Sequence, residues 1–317
     1  MKRNFAILFS LLFCGYLFAE DYCQYDYLNG KKGNEIRKAL YEKLKDHTVL
    51  SYSAIRADKS GVDYRANGKV WDMYSDCVFA SSNYCDNTNF NTDVDCECYN
   101  REHSLPKSWW GGSTDEPMYT DLHHIVPTDN VANSQRSAWP LGEVSTVQWT
   151  NGSSKLGYGT FGSSGNNYTF EPADEYKGDF ARIYFYMATC YMDKNFTAGG
   201  KGYQVFLDGT ATFKASVVNM YLKWHRNDPV SQKEINRNNK VAQKQGNRNP
   251  FVDEPELAEY IWGNKKNVAY SCNGAPEEQG VEDIHVSEPA AQKVLKDGVL
   301  YIVRGEHVYT IQGVEVR

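Results

Sequence analysis

Residues Arg101–Val144 read REHSLPKSWWGGSTDEPMYTDLHHIVPTDNVANSQRSAWPLGEV, and this stretch decides the fold. Arg101 to Leu105 reads as the end of a strand entering an irregular loop, and the segments around Trp109–Gly112 and Thr114–Pro117 are loop-like. Asp121 to Val126 predicts a second strand. A helix beginning near Asp129 or Asn130, both good N-caps, then carries Asn133 and Arg136. The order strand, loop, strand, helix brings Asn133 back across a hairpin to Glu102. Three of the seven histidines fall in this stretch: His103, His123 and His124. Hydrolysing a phosphodiester takes a base for a water, a hard cation on oxygen ligands and positive charge near the phosphate. His103 suits the base, Glu102 and Asn133 the oxygen ligands, and Arg136 a phosphate contact. Taken alone, a Glu-His pair more often marks a packed or solvated histidine.

The pieces Glu102-His103 with Pro106, Asp121-Leu122-His123, Asn133 to Ser137 and Gly142-Glu143 together resemble the core of the endonuclease I family, secreted bacterial nucleases with a ββα-metal (His-Me finger) site. The likeness extends over roughly Cys23 to Trp262. It implies an α+β nuclease domain with His103 as general base and Glu102 and Asn133 as ligands of one divalent cation, usually Mg2+. An oxygen-rich site of few ligands also accommodates Mn2+ or Ca2+. Asp121 and His123 match the family too, and physical expectation gives them a supporting role. His124 stands where relatives often carry asparagine, and Tyr119 where some carry an acid.

Outward from this core, the composition is that of an ordinary soluble protein, 41% hydrophobic and 23% charged, with 23 tyrosines. The tyrosines suit base stacking or β-rich packing with wet tips. Residues 1–19 read as a secretory signal: Lys2 and Arg3, an apolar run from Ala6 to Phe18, and Ala19 before Glu20-Asp21. That run is too short for a stable membrane span, so the expectation is secretion or periplasmic export without membrane insertion. The remaining cysteines fit an oxidising compartment. Cys23 and Cys272 flank the core and are placed to tie its ends. Cys77, Cys85, Cys96 and Cys98 allow two local bridges, with a zinc site as the competing reading, and Cys190 is left over.

Gly33 to Asp46 has helical spacing, Val70 to Ser75 alternates like a strand, and Gly142 to Asn167, rich in Gly, Ser and Asn, reads as exposed loops. Lys177 to Met187 also resembles the family, where such a segment starts a long buried helix. Net charge is −6, or −8 without Lys2 and Arg3, so a nucleic-acid binder must concentrate its cations locally. Residues 221–250 net +5. Lys233, Arg237, Lys240, Lys244 and Arg248, with Arg182 upstream, therefore read as a phosphate-tracking surface, against the bland alternative of a solvated helix face. Residues 20–272 form the expected nuclease domain, 273–292 an acidic linker, and 293–317 a short β-rich tail. That tail resembles those of many exported bacterial proteins, where it serves either surface sorting or as a small appendage.

The expectation from sequence is thus a sequence-nonspecific, Mg2+-dependent endonuclease acting on DNA, with RNA as an alternative substrate and no protein partner. Its products carry 5′-phosphate and 3′-hydroxyl ends. No groove-reading module is visible. A non-catalytic binder of nucleic acid or glycan is the competing class, and the complete Glu102, His103, Asn133 set weighs against it. A metallopeptidase would need an HExxH motif that the chain lacks.

Overall fold

The computed structural model describes residues 23–85 and 94–272, together with strands at 292–296, 299–304, 307–310 and 315–316. The expected signal (1–19) and nearly all of the expected linker lie outside the described residues. The chain forms an α+β structure of two compact units, one spanning Tyr27–Tyr270 and one containing the C-terminal strands.

In the larger unit, α1 (Gly33–Leu44) buries Ile36, Leu40 and Leu44 on one face, as their spacing predicts. A single-turn α2 (Ala57–Ser60) leads to the short hairpin β1 (Val70–Trp71) and β2 (Val78–Phe79). The strand expected to run on to Ser75 stops at Trp71. The Asp72 carboxylate there accepts the backbone N–H groups of Tyr74 and Ser75, and the chain turns instead. Strand β3 (Tyr99–His103) pairs antiparallel with β4 (Ile125–Asp129), Glu102 opposite Val126. β4 begins four residues later than predicted, because Asp121 Oδ1 accepts the N–H of His123 and holds Asp121–His123 in a turn. Helix α3 (Asn130–Arg136) follows directly, and its N-cap Asp129 accepts the N–H of Ala132 at 2.9 Å.

The Gly142–Asn167 segment is not simply loop. Val144–Thr150 (β5), Lys155–Gly159 (β6) and Thr169–Glu171 (β7) form a three-stranded antiparallel sheet with β6 in the middle. The glycines that suggested a loop allow close approach between strands. A Cβ on Gly157 would lie 2.1 Å from the Thr146 carbonyl oxygen, and one on Gly159 1.9 Å from that of Glu143. The register of β5 against β6 shifts twice at these positions.

The core is organised on α4 (Asp174–Cys190), which is buried from Gly178 through Cys190. Single-turn α5 (Gly202–Val205), then α6 (Ala215–Asn227) and α7 (Gln232–Gln245), follow it in the chain. Helices α8 (Pro250–Asp253) and α9 (Leu257–Ile261) close the unit. Phe185 stacks on Trp262 at 4.9 Å and meets Phe251 at 5.6 Å. Tyr184 and Tyr186 are fully buried, so they act as core residues. α7 opens with a capping box: the Ser231 hydroxyl accepts the Glu234 N–H while Glu234 accepts the Ser231 N–H.

Bridges join Cys77 to Cys96 and Cys85 to Cys98, which excludes the zinc reading for these four thiols. In the smaller unit Cys23 is bonded to Cys272. The tail there is a meander of β8 (Gln292–Lys296), β9 (Val299–Arg304), β10 (His307–Thr310) and β11 (Glu315–Val316). Cys190 is a buried free thiol. Among the described residues no helix is long and apolar enough to cross a membrane.

Candidate active site

Alternation along β3 separates its side chains into two sets. Asn100 and Glu102 meet residues of α3, while Arg101 and His103 meet Tyr52 and Tyr119. At the end of the strand both sets border one open hollow of about 290 Å3, lined among others by Arg101, Glu102, His103, Lys107 and Asn133.

His103 Nε2 lies 3.0 Å from the Tyr119 carbonyl oxygen, which can only accept. The proton is therefore on Nε2, and Nδ1 keeps its lone pair. The ring stacks on Tyr119 at 5.4 Å and 13°. Burial lowers the imidazole to about 3, with the positive ends of His124, Lys107 and Arg101 adding to the effect, so the ring is neutral across the physiological range. A fixed neutral imidazole with an unprotonated Nδ1 is what a general base for water requires.

Glu102 is buried, and its Oε1 accepts from the Tyr74 hydroxyl at 3.1 Å and from Arg136 Nη1 at 2.5 Å. Burial pushes its carboxyl up to about 7, with Arg136 and Tyr74 pulling the other way. Asn133 donates its Nδ2 to Asn100 Oδ1, and Asn100 donates to Asn130 Oδ1 at 2.8 Å. With Nδ2 committed to Asn100, the side-chain oxygen is the atom Asn133 has left for a cation, and Asn133 lines the hollow together with Glu102. Oxygen donors alone, with room for waters, fit a hard divalent cation.

Arg136 does not fit the phosphate contact expected of it. It is fully buried, with Nη1 on Glu102 and on the His103 carbonyl oxygen (3.0 Å), and Nη2 on the Ser104 carbonyl and the Tyr184 hydroxyl (3.3 Å). A guanidinium so enclosed holds Glu102 and the strand end in place.

Asp121 and His123 lie deeper. The Asp121 carboxylate accepts from Tyr186 and Tyr191 hydroxyls, both at 2.7 Å, and from Gln245 Nε2 at 2.9 Å. Burial alone would raise its pKa, but His123, His47 and His124 together hold it well below the carboxylate range. His123 donates Nε2–H to the Asn247 carbonyl oxygen at 3.3 Å and packs on Tyr186 at 4.3 Å. His47, Asp121 and Cys190 each place a ligand-type atom within 4.8 Å of the others. Burial pushes the Cys190 thiol well up, so it stays protonated, and its Sγ faces the Leu44 carbonyl oxygen at 3.6 Å. In this structure the three side chains belong to one hydrogen-bonded network, with Cys190 Sγ 3.9 Å from His47 Nδ1 and the Tyr191 hydroxyl reaching both His47 Nε2 at 3.2 Å and Asp121.

The expected phosphate surface on residues 221–250 is largely neutralised in three dimensions. Lys223, Arg226, Lys233, Arg237 and Arg248 pair with Glu143, Glu259, Asp179, Asp63 and Asp253. Arg237 is buried and also donates to the Leu122 and Ile125 carbonyl oxygens, so it ties α7 to the turn before β4. Arg182 is fully buried in a two-bond pair with Glu234. Neither arginine can reach a phosphate. Lys240 donates to the Val62 carbonyl oxygen at 3.4 Å, and Lys244 is exposed. These two remain as surface cations.

The profile of the family described as Endonuclease I matches residues 32–256. The chain belongs to the endonuclease I family. It is 34% identical over 250 residues to an extracellular ribonuclease of Bacillus amyloliquefaciens, covering 75% of this chain and 77% of that protein. An extracellular ribonuclease of Bacillus subtilis is 32% identical over 259 residues, covering 77% and 80%.

This endonuclease I protein is therefore a nuclease enzyme, and sequence reading passed over four residues at its hollow: Arg101 and Lys107, which line it, and Asn100 and Tyr74, which hold lining residues in place. Asn100 was legible, because it sits two positions before Glu102 on a strand and so shares its face. Arg101 and Lys107 bracket His103 in the motif itself. Tyr74, 28 residues from Glu102, carries no local signal.

Proposed function

We propose that this nuclease is an exported, Mg2+-dependent, sequence-nonspecific phosphodiesterase that cleaves RNA and DNA chains internally to 5′-phosphate and 3′-hydroxyl ends. The observation that carries the reading is the His103 tautomer, set by the Tyr119 carbonyl, in the same hollow as Glu102 and Asn133. His103 Nδ1 takes the proton of the attacking water. Glu102 and Asn133 would hold the cation, which when bound neutralises charge on the phosphate and on the leaving oxygen. Arg136, Tyr74 and Asn100 keep those two ligands in place. Because the nucleophile is water, a ribose 2′-hydroxyl has no part in the reaction, and both backbones are substrates. RNA stands first because the two relatives are named extracellular ribonucleases. Three disulfides support export.

The test is digestion of structured RNA and supercoiled plasmid in Mg2+ and in chelator, with wild type and His103→Ala. Wild type should degrade both in Mg2+ alone. The variant should lose about 10²–10⁴-fold in rate, the range a positioned base contributes. Undiminished cleavage by His103→Ala would remove the proposed base.

A further inference from the structure

We propose that Arg101 and Lys107 form a clamp for the phosphates of the substrate strand, mounted on the stacked pair Tyr52–Tyr119 at the mouth of the hollow. The proposal rests on the nuclease reading of that hollow and names how its substrate is held. Most cations of this unit that sequence reading assigned to phosphate are tied to carboxylates. Arg101 and Lys107 form no ion pair among the described residues, and both line the hollow beside His103. Two uncompensated positive charges at that mouth attract an anion, and the anion a nuclease meets is a phosphodiester.

The guanidinium is also pre-oriented. Its Cζ lies 3.7 Å from the centre of the Tyr52 ring, and Nη1 donates to the Tyr52 carbonyl oxygen at 2.6 Å. Tyr52 in turn stacks on Tyr119 at 4.8 Å with only 7° between the rings. His103 rests on Tyr119, and the Lys107 ammonium stands 5.5 Å from the same ring. One pair of tyrosines therefore sets the spacing of the general base and of both cations. A planar fork held against an aromatic face loses little freedom when it grips a phosphate. Because Arg101 and His103 are two apart on β3, they share a face, and a strand gripped by Arg101 passes His103.

The test is fluorescence anisotropy of a short fluorescein-labelled single-stranded oligonucleotide in chelator, where cleavage does not intervene, over a salt series. Wild type, Arg101→Gln, Lys107→Gln and Tyr52→Ala are compared, with thermal melting as a fold control. Each charge-removing variant should weaken binding several-fold. Each should also lower the slope of log affinity against log salt by about 0.7, the value of one phosphate contact on a single strand. Tyr52→Ala should weaken binding while the slope stays that of wild type. A purely structural role for Arg101 would shift melting and leave the slope unchanged. If either charge variant keeps both the affinity and the slope of wild type, the clamp is wrong. Lys107→Gln, which removes no side-chain hydrogen bond among the described residues, decides the matter even if Arg101→Gln folds poorly. Failure of the nuclease reading shows separately, as wild type that binds this probe but never cleaves in Mg2+.

Discussion

Replacing Arg182 by methionine should unfold this protein more easily rather than loosen its grip on nucleic acid. Arg182 donates Nε and Nη2 to the two oxygens of Glu234 at 2.5 and 2.8 Å, and Nη1 to the Asp228 carbonyl oxygen at 2.7 Å. Its Nη2 also faces Asp179 at 3.4 Å. Methionine fills much of the volume but leaves Glu234 buried without its guanidinium. Breaking one side of a buried pair costs about 3–5 kcal/mol. For a unit of this size each kcal/mol moves the melting temperature by about 2–4 °C, so a fall of roughly 6–20 °C is expected. Burial already pushes Glu234 up to about 7, with Asp179 adding to it and Arg182 opposing. Without Arg182 it rises further, above the ordinary value of about 4.3 that it has when unfolded. Between that raised value and about 7 the folded variant binds a proton that the folded wild type does not, so its deficit shrinks as pH falls from 8 towards 7 and is level below, where Glu234 of the wild type is protonated too. The double variant Arg182→Met, Glu234→Gln removes the stranded charge and should recover part of the loss at pH 8. Circular dichroism melts with the disulfides intact, alongside oligonucleotide anisotropy, measure both quantities. An Arg182→Met protein that melts with wild type but shows a reduced salt slope of binding would refute the buried-pair argument.

Three further outcomes follow from the site. Burial holds His103 at about 3 and Glu102 at about 7, so activity should fall as pH drops below 7 through protonation of Glu102, not of the base. One unit below that value the carboxylate fraction is about a tenth, and roughly tenfold more Mg2+ should restore the rate; a limb indifferent to Mg2+ contradicts this. Asn100→Ala removes the acceptor that orients the Asn133 amide, so the Mg2+ concentration for half-maximal rate should rise by about 10–100-fold, read from initial rates. Cys190, buried and with its thiol pushed well up, should be inert to thiol reagents in the native protein and react once guanidinium unfolds it.

Local rules explain what was legible. α1 follows from the spacing of Ile36, Leu40 and Leu44, and α3 from the cap at Asp129, because both depend on neighbours in sequence. The sheet of β5, β6 and β7 was missed because Gly157 and Gly159 look like loop residues until the strand that presses on them is present. The charge of residues 221–250 misled for the same reason. Lys233 finds Asp179 54 positions away and Arg237 finds Asp63 174 positions away, so no window on the sequence contains the acids that neutralise them. In the site, Glu102, His103 and Asn133 do border one hollow, but whether an arginine there faces solvent or core depends on burial. Sequence alone assigned Arg136 outward and passed over Arg101.

The two-sided use of β3 explains why bridges stand beside it. A slip of one residue would exchange the sets, turning His103 and Arg101 towards α3 and Glu102 towards the tyrosines, and would abolish both halves of the site. β4 alone is a weak guard, because a two-stranded pair is marginal in isolation. The register is fixed further at the start of the strand. Cys98, the residue before Tyr99, is bonded to Cys85, and Tyr99 exchanges backbone hydrogen bonds with Asn83 and Cys85 on either side. Cys96 is bonded to Cys77, and its N–H donates to the Asp129 carboxylate that caps α3. The same aspartate thus ties the cysteine loop to the helix that carries Asn133. Reduction should therefore disturb the placing of Glu102 and Asn133 before it unfolds the α4 core, so an oxidising compartment would serve the proposed site directly.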